Sequence, residues 1–150
     1  MLHIREINAC DYLAEAAPMA IEHWKEVAQG TGVPEPYLNP ESIKALQDAE
    51  ALVTLGVFTD DDELVGYSLN LIGPPIDFGN MIVMSNEGIF IRKEHRGSIA
   101  LRLIAETERI AKERGATRAL WHTYLDSRAD NLFSRLPGYR VYDKPYSKEL

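Results

Sequence analysis

Ile89-Phe90-Ile91-Arg92-Lys93-Glu94-His95-Arg96-Gly97-Ser98-Ile99-Ala100-Leu101-Arg102-Leu103-Ile104 passes from an apolar run through a charged turn into Gly-Ser and an amphipathic repeat. The run suits a buried strand. From Ser98 to Arg114, residues Ile99, Ala100, Leu103, Ile104, Thr107, Ile110 and Ala111 fall on one helical face, and Gly115 is placed to end that helix as a left-handed cap. Arg102/Glu106 and Glu108/Lys112 are spaced for surface pairs. If Thr117–Tyr124 is the next strand, the strand-helix-strand unit needs a parallel crossover. Such a unit places a ligand at the carboxyl end of its first strand, beside the helix N-terminus, which here is the turn around Arg96-Gly97. Unpaired amide donors and the positive end of the helix dipole favour a pyrophosphate there, with Gly97 allowing close backbone approach. The same residues also suit an ordinary turn whose glycine serves only the bend.

Upstream, Met81 to Ile91 is nearly continuously apolar apart from Ser85-Asn86-Glu87, which predicts a mid-sheet strand covered on both faces. Val53, Leu55 and Val57 alternate before Asp60-Asp61-Asp62, and Val65, Tyr67, Leu69 and Leu71 alternate after it. That is a hairpin with a solvated acidic tip. Glu41–Ala49 reads as a helix capped by Asn39 with Pro40 in its first turn. The link from Gly30 to Pro40 carries Pro34 and Pro36 and is placed to wall a site. Leu2–Ile7 reads as a strand. Asp11 is expected to cap a helix running to about Gln29, with Gly30 as its stop and a kink near Ala16 and Ala17 forced by Pro18. Ser127–Leu136 reads as a helix and Tyr139–Tyr146 as a last strand. This order predicts an α/β fold, one domain over residues 1–150, with a central mixed sheet flanked by helices on both faces.

The chain has 150 residues and is 45% hydrophobic, enough for one core. Its 16 Lys+Arg against 23 Asp+Glu give a formal net charge of −7, which argues against an extended nucleic-acid surface and agrees with a cationic small-molecule or protein partner. Cys10 is the single cysteine, so no intrachain disulfide forms, and the four dispersed histidines lack zinc-type spacing, so no metal is expected. His3, Arg5 and Glu6 near the start, and the lack of about 18 uninterrupted apolar residues, argue against a signal peptide or membrane span. A cytoplasmic monomer or homodimer is expected.

The segment Ile89–Ile104 resembles the acetyl-CoA loop of the GNAT superfamily of N-acetyltransferases, which typically reads Arg/Gln-x-x-Gly-x-Gly/Ala between the fourth strand and the third helix, and the resemblance implies an acyl-CoA site within Ile89–Ala111. Asp11-Tyr12-Leu13, His23-Trp24-Lys25-Glu26-Val27-Ala28, Leu120-Trp121-His122, Gly138-Tyr139-Arg140-Val141-Tyr142-Asp143 and Tyr146-Ser147-Lys148 are similar to a small GNAT group often encoded by bacteriophages. For such a protein the compartment would be the host cytoplasm. The loop Arg96-Gly97-Ser98-Ile99-Ala100 is one residue shorter than the pattern, and Phe133 or Ser134 falls where many members carry a tyrosine that protonates the leaving thiolate.

The resemblance implies acetyl-CoA as cofactor, held by Phe90, Ile91, Arg96, Gly97, Ser98, Ile99, Ala100 and Leu101. It also implies direct attack of a primary amine on the thioester, with backbone donors around Phe90-Ile91 for the oxyanion. Pantetheine would pair with that strand edge where it splays from Thr117–Tyr124. For the base, Glu87 ranks first, because it precedes the cofactor-binding backbone and an enclosed carboxylate shifts toward neutrality; it also suits a simple ion pair. His122 ranks second, near the end of the next strand, and also suits a structural role. Tyr142 is the chosen proton donor, with Tyr124 and Tyr139 as alternatives. His23, Trp24 and Tyr37 are candidates for lining the acceptor site, though Trp24 also suits packing. A catalytically inactive acyl-CoA-binding or phage structural protein is the competing reading. A simple nucleotide-binding loop is disfavoured, because no Gly-Lys-Ser/Thr ending or full dinucleotide fingerprint is present.

Overall fold

The computed structural model describes Met1–Leu150. Five strands form one sheet in the order β1-β2-β3-β4-β5: β1 His3–Glu6, β2 Leu52–Phe58, β3 Leu64–Gly73, β4 Ile82–Ile91 and β5 Ala116–Leu120. The first four pair antiparallel, and only β4 and β5 run parallel. The helices are α1 Leu13–Val27, α2 Pro40–Asp48, α3 Ile99–Glu113 and α4 Arg128–Phe133. The chain is therefore a mixed α/β sheet with helices on both faces. No helix is long and apolar enough to cross a membrane.

Strand alternation sorts the core into layers. Val53, Leu55 and Val57 of β2 and Met84 and Ile91 of β4 face α3, where Ile99, Leu103, Ile110 and Ala111 meet them. Phe58, Leu64, Tyr67 and Phe90 face the other way and pack on Met19 of α1, while Leu52 packs on Ile43 of α2 and Ala9. Thr54 Oγ1 is buried there without a hydrogen-bond partner, beside an apolar cavity of about 30 Å³ between α1, α2 and the sheet.

The local signals explain most boundaries. Asn39 Oδ1 accepts from the amides of Glu41 and Ser42, so α2 starts where the Asn-Pro pair predicts. Gly115 at φ 93° ends α3. Other expectations are corrected. Asp11 is not a cap: Asn8 caps a short 3-10 turn, Ala9–Tyr12, that leads into α1. Pro18 does not break α1, which runs unbroken from Leu13 to Val27. Proline removes a single bond in the second turn, and burial of Met19 and Ala20 holds the helix together. The strand expected over Thr117–Tyr124 stops at Leu120, and the helix expected over Ser127–Leu136 shortens to Arg128–Phe133.

No strand forms over Tyr139–Tyr146. Gly138 takes φ 86°, and Val141 and Tyr146 are almost wholly exposed, so no neighbouring strand rewards an extended edge. The pairing expected along α3 also differs. Arg109 joins Glu106 and Glu113, while Glu108 instead accepts from Trp121 Nε1 at 2.9 Å and from the Tyr139 hydroxyl. Trp121 stacks on Phe133, which meets Tyr139 edge to face, and this series ties α4 and the C-terminal segment to α3. The acidic hairpin tip is exposed but not idle: Asp60 binds the terminal amine and His3, Asp62 binds Arg5, and Glu63 binds Arg92.

Within α3, Leu103 is fully buried and Leu101 is 45% exposed. Leu103→Ala should therefore lower unfolding free energy by about 2–5 kcal/mol in a urea titration, against about 0.5 kcal/mol or less for Leu101→Ala.

Candidate functional site

Two irregularities in β4 make the site. The parallel ladder with β5 ends at Ser85 and Leu120, while β4 continues to Ile91, so one edge of Asn86–Ile91 has no strand partner. Opposite it, Leu69 pairs with Gly88 and Asn70 with Asn86, which leaves Glu87 as the extra residue of a β-bulge. The free edge opens toward the turn that starts α3.

In that turn Gly97 takes φ 151° with open space where a side chain would stand. This conformation favours glycine, and a Cβ would point into the space that a bound phosphate needs. The amides of Gly97 and Ser98 meet no acceptor within the chain, and Ser98 gives α3 no side-chain cap. They sit at the positive end of a 15-residue helix, an arrangement that suits an anion. A polar cleft of about 390 Å³ lies alongside, lined by Glu26, Val27, Lys93, Arg96, Leu125, Asp126, Ser127 and Arg128. Lys93 and Arg128 take part in none of the chain's ion pairs. The more apolar cavity under α1 is far smaller, and lacks both the free strand edge and these cations.

Arg96 serves the frame of the site. Its Nε donates to the Ile91 carbonyl at 2.7 Å, and its guanidinium reaches Glu26 of α1 at 2.8 Å. Arg92 adds a second tie, to Glu22 at 3.4 Å. These bonds pin the turn to α1, so Arg96 contributes shape to the cleft more than a free charge. Ile99 is buried in the core and Ala100 packs against it, so these two offer a ligand their backbone. Leu101 stays exposed on the first turn.

The structure brings Glu87, His122, Phe90 and His23 toward the free edge. Glu87 is exposed on the bulge, not enclosed, and pairs with no cation. His122 Nδ1 lies 2.8 Å from the Asn86 carbonyl. A carbonyl only accepts, so Nδ1 carries a proton, and in the neutral ring Nε2 then holds the lone pair. His23 stacks on Phe90 at 5.4 Å and meets the edge of Tyr124 at 6.1 Å. Burial lowers its pKa below the usual value; nearby Arg96 pushes the same way, and Glu26 opposes.

Other candidates lie elsewhere. Trp24 Nε1 donates to the Val33 carbonyl at 2.9 Å and so fastens the proline-rich link, in which Tyr37 is 80% exposed. Tyr142 covers Arg118, which is in register with Val83 on the paired half of β4, away from the free edge. The Tyr139 hydroxyl is committed to Glu108, and burial and that carboxylate both push its pKa up. Of the tyrosines considered as donors, Tyr124 is the one that lies beside Phe90 through His23. Sequence reading missed Lys93, Arg128 and the buried polar set Ser68, Asn70, Asn86 and Thr107. The signal for the latter was polar residues on strand faces that the topology covers.

The profile of the acetyltransferase (GNAT) family matches residues 17–139. No curated protein matches the chain in sequence. Among solved structures, the chain is similar to a ribosomal-protein-alanine N-acetyltransferase from Brucella melitensis biovar Abortus 2308, with TM-score 0.73, 18% identity and coverage of 99% of both chains. It is also similar to an acetyltransferase of Trypanosoma brucei, with TM-score 0.69, 17% identity and full coverage of both. A third is an aminoglycoside acetyltransferase from an uncultured soil metagenomic sample in complex with sisomicin, with TM-score 0.75 and 13% identity over 99% of this chain and 96% of that one. At these identities the likeness is one of fold.

The lowered His23 pKa sets a pH dependence of stability. The unfolded chain takes up this proton more readily than the folded one, so stability is greatest above the unfolded value of about 6.5 and falls as pH drops through it toward the folded value. Thermal unfolding of wild type and His23→Gln between pH 7.5 and 5.5 should show the wild type losing more Tm; equal losses would assign the acid sensitivity to other groups.

Proposed function

The chain belongs to the acetyltransferase (GNAT) family, and from that premise we propose that it transfers an acetyl group from acetyl-CoA to a primary amine by direct attack. The observation that carries this reading is the adjacency of the unpaired β4 edge and the free amides of Gly97 and Ser98. An extended chain ending in a pyrophosphate fits that sequence of groups. A simple anion would need only the helix N-terminus.

Bound acetyl-CoA would supply an acyl group already activated as a thioester. In this reading the amides of Gly97, Ser98, Ile99 and Leu101 hold the pyrophosphate, and Lys93 and Arg128 add positive charge across the cleft. The backbone of Phe90 and Ile91 orients the pantetheine arm and offers a donor where negative charge develops. The amine must arrive neutral, and Glu87 and the free Nε2 of His122 are the groups suited to take its proton. His23, whose burial favours the neutral ring, and Phe90 form the aromatic wall on the α1 side. Tyr124 is a better-placed donor for the leaving thiolate than Tyr142, because it stands beside the site.

The acceptor is assigned only as an amine. The structural neighbours include one named for a protein alanine and one that binds an aminoglycoside, so small-molecule and protein amines both stay within the proposal. Membership of the small phage-type group, action in the cytoplasm, and a monomeric or homodimeric state belong to the same reading. The alternative, an acyl-CoA-binding or phage structural protein without catalysis, draws its support from Arg96, which is committed to Ile91 and Glu26.

Calorimetric titration with acetyl-CoA separates these readings, with desulfo-CoA and ATP as controls. Dissociation constants of about micromolar order for acetyl-CoA, and CoA release once an amine is added, are expected. Binding without release would favour a non-catalytic acyl-CoA-binding protein, and absence of binding would remove the acetyl-transfer reading and leave the structural one. Gly97→Val should abolish binding, because its side chain occupies the backbone approach and strains φ. Glu87→Gln should lower kcat by about 10²-fold or more with the acetyl-CoA dissociation constant unchanged; an unchanged kcat would take Glu87 out of the base role.

A further inference from the structure

Beneath α3 four polar side chains are sealed from solvent: Thr107, Ser68, Asn70 and Asn86, each no more than 1% exposed. They form one connected line. Thr107 Oγ1 donates to the Leu103 carbonyl at 2.7 Å and shares a bond of 3.2 Å with Ser68 Oγ. Asn70 Nδ2 donates to Ser68 Oγ at 3.0 Å and to the Val53 carbonyl at 2.9 Å, and Asn86 Nδ2 donates to Asn70 Oδ1 at 2.8 Å. Polar groups this deep are tolerated where they are bonded, so the line is a built feature and not a packing accident.

Its end lies at the bulge. Asn86 Nδ2 is also 3.2 Å from the Gly88 carbonyl and 3.4 Å from the Leu69 carbonyl, the pair flanking the extra residue Glu87. The amide nitrogen thus faces three acceptors, while Asn86 Oδ1 is buried with no partner. A side chain that leaves its own acceptor unsatisfied while its two N–H groups face three oxygens is placed there for its donors. The main-chain carbonyl of the same residue accepts the Nδ1 proton of His122. One residue therefore spans Glu87 to reach Gly88, crosses to Leu69 on the neighbouring strand, and holds the ring of His122.

We propose that Asn86 is a positioning residue for deprotonation of the amine: its carboxamide fixes the bulge that presents Glu87, and its carbonyl holds His122 in the tautomer whose Nε2 accepts a proton. The proposal rests on the acetyl-transfer reading given above. It makes the two proton acceptors a coupled pair, set from behind by the polar line through Asn70, Ser68 and Thr107. Leucine at this position would fill the space yet withdraw this donor from the three oxygens. Aspartate would set oxygen against oxygen.

The test compares wild type, Asn86→Ser and Leu55→Ala, the last removing core packing on the same face of the sheet from a fully buried residue outside the site. Imidazole nitrogen shifts of the ¹⁵N-labelled proteins report the His122 tautomer without any turnover. Wild type should show the Nδ1-protonated form, and Asn86→Ser, which keeps the main-chain carbonyl but releases the bulge that aims it, should shift the ring toward the Nε2-protonated form. In the CoA-release assay Asn86→Ser should lose about 10²-fold in kcat, with the acetyl-CoA dissociation constant within about threefold and an altered pH profile. Leu55→Ala, whatever its loss of Tm, should keep kcat and the pH profile. A wild-type His122 in the other tautomer would overturn the proposal even if the variants fail to fold. An active wild type with unchanged kcat in Asn86→Ser would overturn it alone, whereas a wild type that releases no CoA with any amine would sink the acetyl-transfer reading and the proposal with it.

Discussion

The early end of the β4–β5 ladder governs the rest of the molecule. Two parallel strands that stayed paired to their ends would satisfy each other's backbone groups and close the sheet. Here pairing stops at Ser85 and Leu120, and β4 alone carries on into the turn that starts α3. An unpaired interior strand edge is costly unless something covers it. His122 takes one carbonyl, and the remaining edge faces the opening beside the turn into α3. The bulge at Glu87 helps to produce this divergence, since an extra residue bends the strand and sharpens its twist.

Holding such an opening in shape falls to side chains at its rim and base. At the rim, Arg96 joins the Ile91 carbonyl to Glu26, and Arg92 joins Glu22 and Glu63. Exposed ion pairs contribute little stability, about 0–1 kcal/mol each, but the extra bond from Arg96 to backbone fixes the direction in which the chain leaves β4. At the base, the polar line under α3 secures the bulge. On the far side the stack of Trp121, Phe133 and Tyr139 on Glu108 anchors the segment after β5, which lets that segment diverge from β4 without becoming loose.

Much of this frame was legible because the signals are local. Alternation on either side of Asp60-Asp61-Asp62 marked the hairpin, Asn39-Pro40 marked the start of α2, and the seven-residue apolar face with Gly115 marked α3. Errors fell where tertiary contacts overrule local preference. Pro18 sits in an unbroken helix because Met19 and Ala20 are buried against the sheet. The strand read over Tyr139–Tyr146 has no neighbour to pair with, and β-propensity alone does not hold an edge. Ser68 and Asn70 lie on the strand face opposite Tyr67, Leu69 and Leu71, a pattern that reads as solvent-facing until α3 is seen to cover it.

The sequence by itself determined the order of the main elements as far as α4, the mixed sheet with helices on both faces, and the glycine turn at Arg96-Gly97-Ser98 that leads from β4 into α3. Each of these follows from periodicity, caps and glycine within a few residues of chain. Only the tertiary structure decided where β4 and β5 part, that Glu87 is the extra residue of a bulge, that Arg96 binds Glu26, and that Asn86 reaches both Gly88 and His122. Those facts join residues far apart in the chain, and pairing register and burial under a distant helix are properties of the assembled sheet that no local window of sequence contains.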